Sequence, residues 1–237
     1  MSLRNLIHKG SYIDMDYIYG SLSNKGGENP LDYPAIAANQ AEIITVATNA
    51  LTGEAKYFDK SDIAQDNYDI IKASCSIPVV CPPYIVKGTP YYDGALSDPI
   101  PVEKAFAMSC DKVVLILTRP KDFRRKPGKD RLIASIIRRK YPKAAFRMER
   151  RADNYNALLD QAVNLERQGK LLIIAPDDTC GMDTLTRDKE AMVRFYKKGL
   201  QDGGAISLYL KKEQILEQSG NYFLERQNHK TDCRAYY

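Results

Sequence analysis

The sequence predicts an α/β fold with a mainly parallel sheet. Residues 112–118 (KVVLILT) and 170–175 (KLLIIA) are apolar runs without alternation, the pattern of strands covered on both faces in a parallel sheet. Strand-like segments alternate with segments of helical periodicity, as in α/β proteins. The chain has 237 residues, 44% hydrophobic and 27% charged, enough to bury a core without disulfide or metal staples.

Residues 1–40 are mixed, with a Gly/Asn/Ser/Pro-rich loop from Ser21 to Pro30. Residues 42–49 (EIITVATN) are rich in β-branched side chains and read as a strand, Thr52-Gly53 as a turn, and residues 55–58 as the second strand of a hairpin. Ser61 is the expected cap of a helix over 65–74 that Pro78 ends. Pro82-Pro83 forces extended chain. Residues 91–96 form a short strand leading into a loop, and Pro101 opens a helix over 102–108. After the strand 112–118, a helix is expected over 131–141, interrupted by Pro142. A longer one follows over 144–168, with Tyr155, Leu158, Leu159, Ala162 and Leu165 on one face and Gly169 at its end. The strand 170–175 follows, then two closing helices, 187–199 and 204–218. The expected division is one domain over 1–180 and a helical extension over 181–237.

Histidine usage excludes whole classes of chemistry. The chain has only two, His8 and His229, and neither has the surroundings of a Ser-His-Asp triad, an H-E-x-x-H helix or a multi-histidine metal site. Catalysis is left to carboxylates, hydroxyls and thiols, with no metal and no cofactor expected. The five cysteines, Cys75, Cys81, Cys110, Cys180 and Cys233, are odd in number and form no C-x-x-C. This points away from a zinc site or disulfide framework and toward reduced thiols in a cytoplasmic protein. No apolar run approaches the roughly 18 residues of a membrane span, and residues 1–10 lack a signal-peptide core.

Net charge is +5, unevenly placed: residues 121–151 hold 13 basic and 3 acidic side chains. Sparse aromatics and the absence of a nucleic-acid fold signature argue against nucleic acid as partner. A solvated helical face is the plainest account of this segment, and peripheral contact with an anionic membrane is its functional alternative. Asp177, Asp178 and Asp183 do not have the spacing of a calcium loop.

Asp93-Gly94-Ala95 is the most informative tripeptide. It follows an aromatic strand, and strand ends are where α/β sheets place their sites. Taken alone, Asp-Gly is also a common turn pair. The surroundings are Ala73-Ser74-Cys75-Ser76-Ile77-Pro78, then Cys81-Pro82-Pro83 and Gly88 upstream, and Asp98-Pro99-Ile100-Pro101-Val102 downstream. This ordered set resembles the patatin-like phospholipase family. The stretch from Pro176 through Leu185-Thr186-Arg187 to Tyr196-Lys197-Lys198-Gly199 and Asp202 resembles the tail of a bacterial subgroup.

The resemblance implies a three-layer patatin-like fold and a Ser–Asp dyad that hydrolyses lipid or other acyl esters, with Asp93 as general base. The role falls on Asp93 because its motif, with Gly94 and Ala95, matches there. The family's glycine-rich oxyanion loop and G-x-S-x-G nucleophile elbow are missing from the sequence. No nucleophile is therefore assigned. Ser74, Cys75 and Ser76 sit at a helix end, whose carbonyls repel an oxyanion, and read as packing or pocket lining. The expectation is a fragment carrying the aspartate half of a serine hydrolase, with a non-catalytic remnant binding an anionic lipid surface or a protein partner as the alternative. Loss of the nucleophile strand would leave strands 42–49 and 112–118 without neighbours, so self-association is also expected.

Overall fold

The computed structural model describes residues 11–183 and 186–231. The expectations for residues 1–10, Leu185 and Cys233 lie outside them. Two compact units divide the chain. One takes the residues up to Pro101 together with Arg124–Leu159, and the other takes Val102–Phe123 and the residues from Asp160 onward.

The first unit is built on β1 (Thr45–Asn49), β2 (Ala55–Phe58), β3 (Tyr84–Val86) and β4 (Thr89–Asp93), preceded by a short helix α1 (Tyr33–Ala38). The strand order is β2-β1-β4-β3 and every pairing is antiparallel. The expectation of a mainly parallel sheet is therefore corrected. Both hairpins close locally. β3 and β4 are joined by Lys87 and Gly88, both at positive φ, the backbone of a tight two-residue hairpin turn.

The sheet carries helices on both faces, a consequence of the period-2 alternation of its side chains. Tyr91 faces a core with Ala47, Phe58, Tyr68, Ile70 and Ala73, the last two from α2 (Asp69–Ser74). Tyr92 faces a second core with Leu96, Ala134, Ile137, Ala145 and Met148, supplied largely by α4 (Asp130–Ile137) and α5 (Pro142–Glu149). Each tyrosine has an edge-on aromatic partner, Phe58 at 5.2 Å and Tyr141 at 5.7 Å between ring centroids. A sheet with one polar face would not bury two successive tyrosines of the same strand.

The second unit holds the parallel part of the structure. β5 (Val113–Ile116) pairs in parallel with β6 (Leu171–Ile174). α3 (Val102–Ala107) packs on β5, and α7 (Lys189–Thr231) packs on β6. The long helix α6 (Arg151–Arg167) contributes residues to both units.

Several boundaries differ from the sequence expectation. The helix expected over 144–168 is two, broken at Arg150, whose ψ of 2° leaves the helical region. Pro142 opens α5 rather than merely interrupting a helix, because proline at a first helical position loses no hydrogen bond. The two closing helices are one continuous helix through Gly199, Gly203 and Gly204; each glycine costs about 1 kcal/mol relative to alanine without breaking it. Asp59, not Ser61, caps the turn that precedes α2.

The expected loss of neighbours is also corrected at β1, which is flanked by β2 on one side and β4 on the other. β5 has β6 as its sheet neighbour among the described residues. Its Ile116 is 66% exposed, so the strand is not covered on both faces as its apolar run suggests.

Candidate active site

β4 ends at Asp93, and the chain turns there because Asp93 caps the turn itself. Its Oδ1 accepts the Ala95 N–H at 2.8 Å, opening a single 3-10 turn over Gly94–Leu96. The turn role and the candidate catalytic role thus fall on one carboxylate. Gly94 is required by crowding. A Cβ there would lie 2.4 Å from the carbonyl oxygen of Val46 on β1.

The backbone of Asp93 is held from both sides. Its N–H donates to the Ser76 carbonyl at 2.9 Å. Its carbonyl accepts the Thr48 hydroxyl at 2.8 Å, and Thr48 Oγ1 lies 2.8 Å from Ser97 Oγ. The Ser97 carbonyl accepts from Asn154 Nδ2 on α6 at 3.1 Å. Thr48 is fully buried, so this hydroxyl network works in a low-dielectric setting, where satisfied polar groups fix geometry.

A cleft of about 350 Å³ opens at the corner. Ile44 through Val46 form one wall, Asp93 through Ala95 the floor, and Ser74 with the Asp98–Pro101 loop the rest. Asp98 in that loop accepts from the Tyr57 hydroxyl. Burial pushes the Asp93 carboxyl above the usual aspartate range, opposed by the Ala95 N–H and by the positive charges of Arg151 and Arg125. Burial lowers the Arg151 guanidinium from its ordinary value, as does the charge of Arg125, while Asp93 and Asp130 oppose that shift.

Arg125 is anchored by reciprocal hydrogen bonds with Asn156. Its N–H donates to Oδ1 at 2.8 Å, and Nδ2 donates back to its carbonyl at 3.0 Å. The guanidinium of Arg125 lies 3.7 Å from buried Asp130. Sequence inspection placed these two arginines inside one basic segment and attached neither to Asp93. They lie near the two ends of that segment, and no local pattern distinguishes them from its solvated members.

The three side chains weighed as replacement nucleophiles all lie near the corner. Ser74 lines the cleft. Ser76 is buried, with its hydroxyl donating to the Lys72 carbonyl at 2.8 Å, which ties it back to the end of α2. Burial pushes the Cys75 thiol upward, and the Asp93 charge adds to this, against a hydrogen-bonding contact with the Tyr19 hydroxyl at 3.8 Å. A thiol held protonated is a poor nucleophile.

Residues 1–106 match the family model of the Patatin-like phospholipase, and residues 141–212 match a Domain of unknown function (DUF6363). Residues 1–106 are a patatin-like segment. Asp93, Gly94 and Ala95 all fall within it, as do both hairpins, α2 and every residue lining the cleft. The patatin-like segment therefore carries the candidate site. Among the described residues, no helix is long and apolar enough to cross a membrane.

Proposed function

We propose that Asp93 is the general base of a Ser–Asp dyad that hydrolyses lipid acyl esters, and that these 237 residues supply the aspartate half of that site. The carrying observation is the placement of a burial-raised carboxylate on the floor of an open cleft, at the end of a strand inside the patatin-like segment. A free aspartate, near pKa 3.9, is a weak base. Desolvation makes Asp93 a stronger one, matched better to proton abstraction near neutral pH. In the proposed reaction the serine oxygen attacks the ester carbonyl while its proton passes to Asp93. Asp93 then returns that proton to the leaving alcohol, and a water molecule repeats the sequence to free the acid.

The sequence has no G-x-S-x-G segment, so the serine is proposed to come from outside these residues. Free thiols at Cys75, Cys81, Cys110 and Cys180 support a reducing, cytoplasmic setting. The test is to read the gene upstream of Met1 in frame, express the extended protein, and assay a p-nitrophenyl acyl ester. Turnover is expected in the extended protein and absent from the 237-residue chain. An upstream frame without a serine elbow, or robust turnover by the 237-residue chain, would overturn the dyad assignment.

A further inference from the structure

The outward faces of α4 and α5 combine features that water alone does not explain. Their inward faces fill the core against Tyr92 and Leu96. Outward stand Leu132, Ile136 and Phe146, exposed by 63%, 59% and 54%. Leu132 and Ile136 are one helical turn apart, so they project from the same side of α4. Around them Arg131, Arg138, Arg139, Lys140, Lys143 and Arg150 are all exposed. Glu149 pairs with Arg138 and Asp153 with Arg150, while Asp130 is buried beside Arg125, which leaves Arg131, Arg139, Lys140 and Lys143 as the cations this face offers.

Large apolar side chains standing exposed among cations on a helical surface are suited to one kind of partner. At a membrane interface, apolar side chains enter the headgroup and acyl boundary while lysine and arginine meet phosphate. The arginine and lysine stems can also lie along the apolar layer with their charged ends in the headgroups. Nucleic acid would satisfy the cations but would leave Leu132, Ile136 and Phe146 in water.

Resting on the lipid-ester reading of the Asp93 cleft for its choice of a lipid partner, we propose that the outward faces of α4 and α5 dock on anionic membrane surfaces, with Leu132, Ile136 and Phe146 inserted and the surrounding bases on lipid phosphates. The helices that bind the membrane are then the same ones that pack against the strand ending at Asp93.

The experiment is co-sedimentation of the 237-residue chain with vesicles of phosphatidylcholine alone and of phosphatidylcholine mixed with phosphatidylserine. Binding is expected on the mixed vesicles only, falling steeply with salt, because exposed charges are screened over about 8 Å at physiological ionic strength and about 3 Å at 1 M. Replacing Arg131, Arg139 and Lys143 by glutamine should weaken it about fivefold per charge. The pair Leu132→Ser and Ile136→Ser, with charge unchanged, should weaken it by about tenfold. All five positions are exposed, and unchanged thermal melting confirms that each variant is folded. Equal binding to both vesicles, or anionic binding unaffected by the serine pair, would overturn the assignment. So would binding to duplex DNA in the absence of vesicle binding, which would assign the face to nucleic acid. Asp93→Asn is expected to bind vesicles as the unaltered chain does, so failure of docking and failure of the dyad register separately.

Discussion

Asp93→Asn is expected to abolish ester turnover in the extended protein and, at the same time, to stabilise the fold at neutral pH. The first effect follows from loss of the base, a step worth about 10³-fold in rate. No histidine stands in the described cleft to share the load. The second follows from linkage. Burial raises the folded-state value of Asp93 above its unfolded one, so its contribution to stability is present in acid and is lost as pH rises through the raised value. Asparagine does not titrate, and its side-chain oxygen can still accept the Ala95 N–H. Urea denaturation should therefore show the variant more stable than the parent at pH 7, with the difference shrinking below the ordinary aspartate range. A variant equally or less stable at pH 7 would show that the carboxylate is satisfied when ionised. The same raised value places the acid limb of kcat against pH above that of a free aspartate.

Gly94→Ala is expected to be among the most destabilising single-methyl changes available in the chain. The added Cβ would lie 2.4 Å from the Val46 carbonyl oxygen and 2.8 Å from its carbon. Neither atom belongs to a flexible side chain, and β1 is pinned there by pairings to Tyr57 on one side and, one residue on, to Asp93 on the other. Relief requires separating β1 from β4, at a cost of about 3 kcal/mol. Gly88→Ala is the matched control. Nothing lies within 4 Å of its Cβ position, and its φ of +80° adds backbone strain alone, about 1 kcal/mol. Chemical denaturation of the two variants separates crowding from strain. Equal losses would show that the Asp93 corner is softer than its packing implies.

Local pattern carried much of what could be read before the structure. The hairpin of β1 and β2, a strand through Tyr91 and Tyr92 and the helix after Pro101 all follow from neighbours in sequence: β-branched runs, the Thr52-Gly53 turn, and a proline at a helix start; but that strand stops at Asp93, and residues 94–96, expected within it, form a 3-10 turn. The corner that carries the candidate base was legible for the same reason, because Asp93, Gly94 and Ala95 are contiguous. Strand direction was not. The apolar runs at Val113–Ile116 and Leu171–Ile174 do form a parallel pair, but β4 joins β1 in antiparallel register, a matter of tertiary pairing on which periodicity is silent. Arg150 interrupts helical structure without a glycine or proline to announce it, while Gly203-Gly204 fails to interrupt it. Arg125 and Arg151 reach Asp93 electrostatically only after the chain has folded back through α4 to α6.

The strand order β2-β1-β4-β3 also imposes a sequence of events in time. Each hairpin closes over a handful of residues, a process of about 1–10 μs. The seam between β1 and β4 joins Ala47 to Asp93, and such non-local pairings are the slow ones. Two adjacent amides report the two steps: Asn49 N–H bonds Glu54 within the first hairpin, and Ala50 N–H bonds Pro90 across the seam. In pulsed hydrogen exchange during refolding, Asn49 is expected to become protected before Ala50, and simultaneous protection would mean that the sheet forms in one step. Thr48 can grip Asp93 only after that seam has closed, so a newly made chain has its hairpins before the corner at Asp93 is complete.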